Sequence, residues 1–247
     1  MTDLSVIIPT YNEAPNIRRT FAACVRWLER KGLDWELLLV DDGSTDGTLS
    51  IERELAGGQG RVRLLDHSPN RGKGFAVRRG MLEASGEVRL FLDADFSTPI
   101  EEYERLAPAL AAGADIAIGV RRGPNALIEG KPPLHRHVLG EFYIALAGWL
   151  LGSRVSDFNC GFKAFKAEAA ERLFSLQRRD DWSFDAEVLV LAERLGYRIA
   201  EVAVRWSHVQ ETSKVRPLRD GLRSLRALLG IRRDLKAGRY GELRARD

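Results

Sequence analysis

The chain has 247 residues, 45% of them hydrophobic and 30% charged, with a formal net charge of +3. That length holds one α/β domain with an appendage or two small domains, and the composition is that of a globular protein, not a disordered or fibrous one. No apolar run reaches the roughly 18 to 20 residues of a membrane span, and two cysteines with no signal peptide make a reducing cytosol the expected compartment.

The expected elements alternate. Leu4 to Ile8 is an apolar strand, with Pro9 expected to end it, and Asn16 to Lys31 has helical spacing (Ile17, Phe21, Cys24, Val25, Leu28). Trp35 to Val40 is a second strand running into Asp41-Asp42, and Asp46-Gly47-Thr48 opens a helix. Val62 to Leu65 reads as strand, Gly72 to Ala84 as helix, Val88 to Leu92 as strand, Pro99 to Ala112 as helix and Ala114 to Gly119 as strand. Gly123 to Pro133 reads as loop and Leu134 to Leu151 as an apolar helix. Gly161 to Phe165 reads as a short strand, Trp182 to Leu195 as helix and Arg198 to Val204 as strand. This alternation predicts an α/β fold with a mostly parallel sheet flanked by helices, whose ligand lies beyond the carboxyl ends of the strands.

The tail differs in charge. From Ser213 to Asp247 eleven Lys/Arg accompany four Asp/Glu, a balance of +7, while the preceding 212 residues carry −4. Leu218, Leu222, Leu225, Leu228, Leu229 and Leu235 share one helical face, with arginines on the others. The expected division is an α/β domain over 1–212 and a basic amphipathic tail over 213–247. The tail suits an interfacial helix on an anionic membrane, and Phe142, Tyr143, Leu146, Trp149 and Leu150 suit a second wedge; ordinary packing or a dimer contact is the alternative for each. A basic tail also fits nucleic acid, but the acidic body and the lack of a recognition motif argue against that partner.

Three strand ends carry acids and turn residues. Asp93-Ala94-Asp95 offers two hard oxygen ligands suited to Mg²⁺ or Mn²⁺; the alternative is a solvated acidic turn. In Asp41-Asp42-Gly43-Ser44-Thr45-Asp46, Asp46 reads as a helix cap and Asp42 as an acceptor for the N–H of a nucleobase. In Pro9-Thr10-Tyr11-Asn12-Glu13, Tyr11 is placed to pack on a base and Glu13 to bond the nucleoside, or the segment is only a capped helix entry. Arg71-Gly72-Lys73-Gly74 lacks the spacing of a P-loop, yet Lys73 is placed to meet a diphosphate.

Together, residues 5–13 (SVIIPTYNE), 40–48 (VDDGSTDGT), 71–74 (RGKG) and 93–99 (DADFSTP) resemble inverting family-2 glycosyltransferases of the GT-A (Rossmann-like) fold. Residues 157–163 (DFNCGFK), 182–187 (WSFDAE) and Ser213-Lys214 resemble polyprenyl-phosphate glycosyltransferases, first the dolichyl-phosphate β-glucosyltransferase branch and then the mannose synthases. The resemblance implies that Pro9, Tyr11, Glu13, Val40 and Asp42 line the nucleoside. It implies that Asp93 and Asp95 hold the metal with Ala94 between them. Arg121 and Lys214 would stand near the diphosphate, Arg136 and Lys214 near an acceptor phosphate, and Asp157 at the acid of the second-half motif. Where mannose synthases carry a metal-binding Gln, this chain has Ser97.

The implied reaction moves a hexose, from UDP-glucose first and GDP-mannose next, to a polyprenyl or dolichyl phosphate. Because a lipid phosphate is already anionic, Asp157 is expected to orient cationic groups or sugar hydroxyls; with a hydroxyl acceptor it would be the base. The implied place is the cytoplasmic face of the membrane. The alternatives are a family-2 enzyme with a polysaccharide or soluble acceptor, and a non-catalytic nucleotide- or lipid-binding homologue.

Overall fold

The computed structural model describes residues 2–58, 60–122, 127–129, 144–207 and 217–241, with side chains from 224 onward in the last of these. Nine strands and eight helices occur among the described residues. In chain order they are β1 (Leu4–Thr10), α1 (Ile17–Lys31), β2 (Trp35–Asp41), α2 (Thr48–Gly57), β3 (Val62–Asp66), α3 (Lys73–Glu83) and β4 (Val88–Leu92). A 3₁₀ turn (Ile100–Glu102) then leads into α4 (Tyr103–Ala111), β5 (Ile116–Val120), β6 (Leu127–Glu129) and a helix, α5, described over 144–151. The remainder is β7 (Phe162–Lys166), α6 (Ala167–Leu176), α7 (Phe184–Arg194), β8 (Ile199–Ala203), β9 (Arg205–Ser207) and α8 (Pro217–Lys236).

Seven strands form one sheet in the order β3-β2-β1-β4-β7-β5-β8, and β6 pairs with β9 in a short ribbon. All neighbours in the large sheet are parallel except β7, which is antiparallel to both β4 and β5. Strand β1 shows why the sheet is covered on both faces. Its residues are buried throughout, and they alternate between two cores with the period of two that a strand imposes. Ile7 packs with Ala76, Val77 and Met81 of α3 and with α6 and α7, whereas Leu4, Val6 and Ile8 pack with Ile17, Phe21 and Leu28 of α1.

Pro9 lies inside β1 and does not end it. Pairing of β1 with β4 stops at Ile7–Phe91, so beyond Ile7 the strand has only β2 as a partner, and a residue without an N–H is tolerated at such an edge. The 123–133 stretch read as loop contains β6, and the sequence reading had no separate α6. Among the described helices none is long and apolar enough to cross a membrane.

Helix α8 is amphipathic as expected, but its apolar side is turned inward. Leu228 and Ile231 are fully buried, and Leu225 and Leu235 pack against the same core as α7. Asp234 is buried between Arg179 and Arg239, and Tyr240 donates its hydroxyl to buried Glu187 at 2.6 Å. The 224–240 stretch therefore shares the core of the catalytic domain, and Leu225, Leu228 and Leu235 are turned to that core; the side chains of Leu218 and Leu222 lie outside the described residues. Leu229, 48% exposed, is the exception, on an outward stripe with Arg226, Arg233 and Lys236. The wedge expected on α5 narrows in the same way: Leu150 is buried and Leu146 packs on the core, while Trp149 is 76% exposed. Phe142 and Tyr143 lie outside the described residues.

Candidate active site

The site is a consequence of strand order. The carboxyl ends of β2, β1 and β4 are adjacent, and the chain leaves β1 for β2 on one side and reaches β4 on the other, which opens a crevice at that edge. Because β7 runs backwards, its first residue, Phe162, sits beside Leu92 at the end of β4. The loop before β7 thus arrives at the same edge, bringing Asp157 and Gly161. Strand β5 ends there too and delivers Arg121.

On the β1–β2 side two loops are stitched together. Asn12, in the left-handed region at φ 56°, donates its backbone N–H to Ser44 Oγ at 3.0 Å, and its own Oδ1 accepts from Thr45 N at 2.8 Å. Glu13 N donates to Thr48 Oγ1 at 2.8 Å, and Asp46, one residue before the N-cap Gly47 of α2 and so not the cap expected of it, accepts from Thr48 N at 2.9 Å. Tyr11 is 39% exposed at this edge. Pro9 and Val40 are buried partners in register and form its floor; the Val40 side chain belongs to the core.

Asp42 is only 2% exposed. Its Oδ1 accepts from Arg71 N and His67 Nε2, both at 2.8 Å, and its Oδ2 from Asn70 Nδ2 at 2.7 Å and Gly72 N at 2.8 Å. Those four donors match the lone-pair capacity of a carboxylate. Asp42 is thus the organiser of the 67–72 loop, and a base N–H would have to displace one of its partners. Beneath it lie two further buried acids, Asp41 and Glu52, each with one oxygen that has no partner among the described residues. Burial pushes the Glu52 carboxyl up to about 8, against the bond from Thr10 and with help from Asp41, Asp66 and Asp46.

On the β4 side the groups are charged and paired with one another. Lys73 Nζ lies 2.5 Å from Asp93 Oδ1 and 4.7 Å from the centre of the Trp182 ring, which is itself 70% exposed. Asp93 packs against Gly161, where a Cβ would overlap its carboxylate. Burial and the neighbouring Asp93 raise the Asp95 carboxyl above its ordinary range, opposed by bonds from Ser97 and by Lys73. Ser97 N donates to Asp95 Oδ1 at 2.9 Å, and Ser97 O accepts from Ser207 N of β9 at 2.8 Å. Ser97 therefore props Asp95 and ties it to the β6–β9 ribbon. The backbone is held from behind by α1: Thr20 Oγ1 donates to Ala94 O at 2.7 Å, and Arg19 donates to Asp95 O at 3.1 Å.

Asp157 is 1% exposed and engaged by Arg121, whose Nε and Nη2 meet its two oxygens at 2.9 and 2.8 Å, with Asn159 N donating to it as well at 3.2 Å. Burial works against its charge, but the Arg121 bonds and charge prevail and hold its carboxyl below the usual range. Arg121 in turn is held above its ordinary value and lies over the Trp206 ring. Arg136 and Lys214 lie outside the described residues.

Some site residues carried no role in the sequence reading. Lys163, fully buried, donates to Asp185 at 2.5 Å and to Cys160 O at 2.6 Å, beneath the Lys73–Asp93 pair. Its signal is a lysine between the phenylalanines of a buried strand. Cys24 and Cys160 are buried free thiols, and burial pushes Cys160 up to about 12.

The family model of glycosyl transferase family 2 matches residues 5–174. The chain belongs to that family. This family-2 glycosyltransferase is 37% identical over 244 residues to a dolichyl-phosphate β-glucosyltransferase of Drosophila melanogaster, covering 93% of this chain and 74% of that one. It is 33% identical to the Saccharomyces cerevisiae protein of the same name, over 96% of this chain and 76% of that one. Among solved structures, glucosyl-3-phosphoglycerate synthase of Mycobacterium tuberculosis, crystallised with Mn²⁺, UDP and glucosyl-3-phosphoglycerate, superposes with a TM-score of 0.68 at 21% identity, covering 93% of this chain and 80% of that one. That likeness establishes the GT-A fold of the family-2 domain.

Proposed function

We propose that the chain transfers a hexose, with inversion, from a nucleotide-sugar to a polyprenyl or dolichyl phosphate, with UDP-glucose the first donor to test and GDP-mannose the second. The observation that carries this reading is the state of Asp157. A hydroxyl acceptor requires a base, whereas Asp157 is a poorly basic carboxylate clamped in a two-pronged ion pair. A phosphate acceptor is already anionic and needs no proton removed. The names of the relatives point the same way.

In this reading Asp157 positions Arg121, whose guanidinium and Lys73 stabilise the charge that develops on the leaving diphosphate. Tyr11 and Glu13 meet the nucleoside, and Asp42 acts on it by shaping the 67–72 loop. Asp93 and Asp95 suit Mg²⁺ or Mn²⁺: they are hard oxygen donors, and an ammonium already stands in as a cation on Asp93. Among the described residues no third acid, His or Cys forms a cluster with them. Bound there, the ion would neutralise charge on the diphosphate. Arg136 and Lys214 are proposed for the acceptor phosphate.

Membrane contact is assigned to the outward stripe Arg226, Leu229, Arg233 and Lys236, on the cytoplasmic face, where nucleotide-sugars and unpaired thiols belong. Labelled UDP-glucose and a polyprenyl phosphate should yield an organic-extractable product whose mass has gained one hexose. Asp95→Ala should abolish it. Transfer only to water-soluble acceptors would overturn the lipid assignment.

A further inference from the structure

We infer that Lys73 is a latch on Asp93: it occupies the carboxylate of the metal-free enzyme, and a divalent cation binds there only as the nucleotide diphosphate draws the lysine away. The inference rests on the reading of Asp93 and Asp95 as the metal carboxylates.

The oxygens of Asp93 make the case. Its carboxylate lies so close to Gly161 that no side chain fits between them, which leaves it no room to retreat on that side from an incoming cation. Its Oδ1 is capped by Lys73 Nζ at 2.5 Å. Carboxylate ligands to Mg²⁺ stand at roughly 2.0 to 2.1 Å, so an incoming ion competes with the ammonium for the same oxygen. The ion also repels the ammonium directly.

Lys73 is able to yield without its backbone moving. It begins α3, and Gly72 and Gly74 on either side press on the backbone of residues 179–181, so the helix start is fixed. Only the side chain has freedom. It leans on the Trp182 ring, 4.7 Å from its nitrogen, at the open edge of the site. A diphosphate gives the ammonium a new anionic partner at the moment the ion takes Asp93. Ion and nucleotide thereby bind with positive coupling, and the ion alone binds poorly.

The test titrates Mn²⁺ into the full chain and reads free Mn²⁺ by electron paramagnetic resonance, with and without UDP. For the wild type, UDP should tighten Mn²⁺ binding roughly tenfold or more, within the usual span of coupling between sites. Lys73→Met should bind Mn²⁺ alone about tenfold more tightly than wild type, and UDP should then add only about twofold. Trp182→Ala, at an exposed ring, should move Mn²⁺ binding the same way by about threefold, which reports on the latch even if Lys73→Met fails to fold. Wild-type Mn²⁺ affinity in both variants without UDP would overturn the latch. Asp95→Asn separates the two levels: it should lose Mn²⁺ under every condition. If it binds like wild type, or if wild type with UDP takes up no Mn²⁺, the metal reading falls and the latch with it.

Discussion

The two sides of the crevice are built on different terms. Around Asp42 every carboxylate oxygen is filled by donors of one loop, and the Asn12–Thr45 and Glu13–Thr48 bonds tie the neighbouring loops together. Around Asp93 the partners are other charged side chains: Lys73 on Asp93, Arg121 on Asp157, Lys163 on Asp185. Hydrogen bonds to backbone fix a shape, whereas ion pairs between side chains can exchange one partner for another. In the proposed reading the fixed side takes the nucleoside and the exchangeable side takes a diphosphate that arrives, reacts and leaves.

Breaking each side should therefore produce different damage. The largest effect is expected at the exchangeable side. Asp157→Asn removes the charge that aims Arg121, and kcat should fall about 100-fold, the scale of losing one donor to a developing anion, while KM for the nucleotide-sugar changes little. A large KM effect with intact kcat would place Arg121 in ground-state binding instead. At the fixed side, Asp42→Ala leaves the N–H groups of Arg71 and Gly72 without their acceptor, and urea denaturation should show a loss of about 3 kcal/mol. An unchanged midpoint would mean the 67–72 loop holds its shape without Asp42.

The smallest effect concerns pH. Glu52 has its carboxyl raised from 4.5 to about 8, so the folded chain binds a proton there that the unfolded chain has released. Its contribution to stability is full below pH 4.5 and is lost progressively until pH passes about 8. Melting temperature measured from pH 5 to 8 should decline more steeply in wild type than in Glu52→Gln, which cannot ionise. Parallel curves would show that Glu52 is charged in the folded state.

How much of this could be read from the chain alone differs by element. Strands β1, β2 and β4 are continuous apolar runs because both faces are covered, and their polar ends mark the site directly. The direction of β7 leaves no trace in its residues, since an apolar strand reads alike either way. Helix α6 starts directly after β7 at Lys166, with no side-chain cap to announce it. The β6–β9 ribbon joins three-residue strands some 80 positions apart, too short for any periodicity. Asp42 was legible as important but not as saturated, because its donors come from residues 67–72. In α8, leucines and arginines alternate as they would on a membrane; that Leu228 and Ile231 share a core with α7 is not written in the helix itself.

The reversed strand has one more consequence. The chain departs from the crevice after Val120 and returns to it at Phe162, and Ile118 faces Lys163 across the β5–β7 pair. Both ends of that excursion are clamped by the same two neighbouring strands. Arg121 and Asp157, which pair with each other, are therefore brought together from opposite ends of a 41-residue excursion by the register of that strand pair.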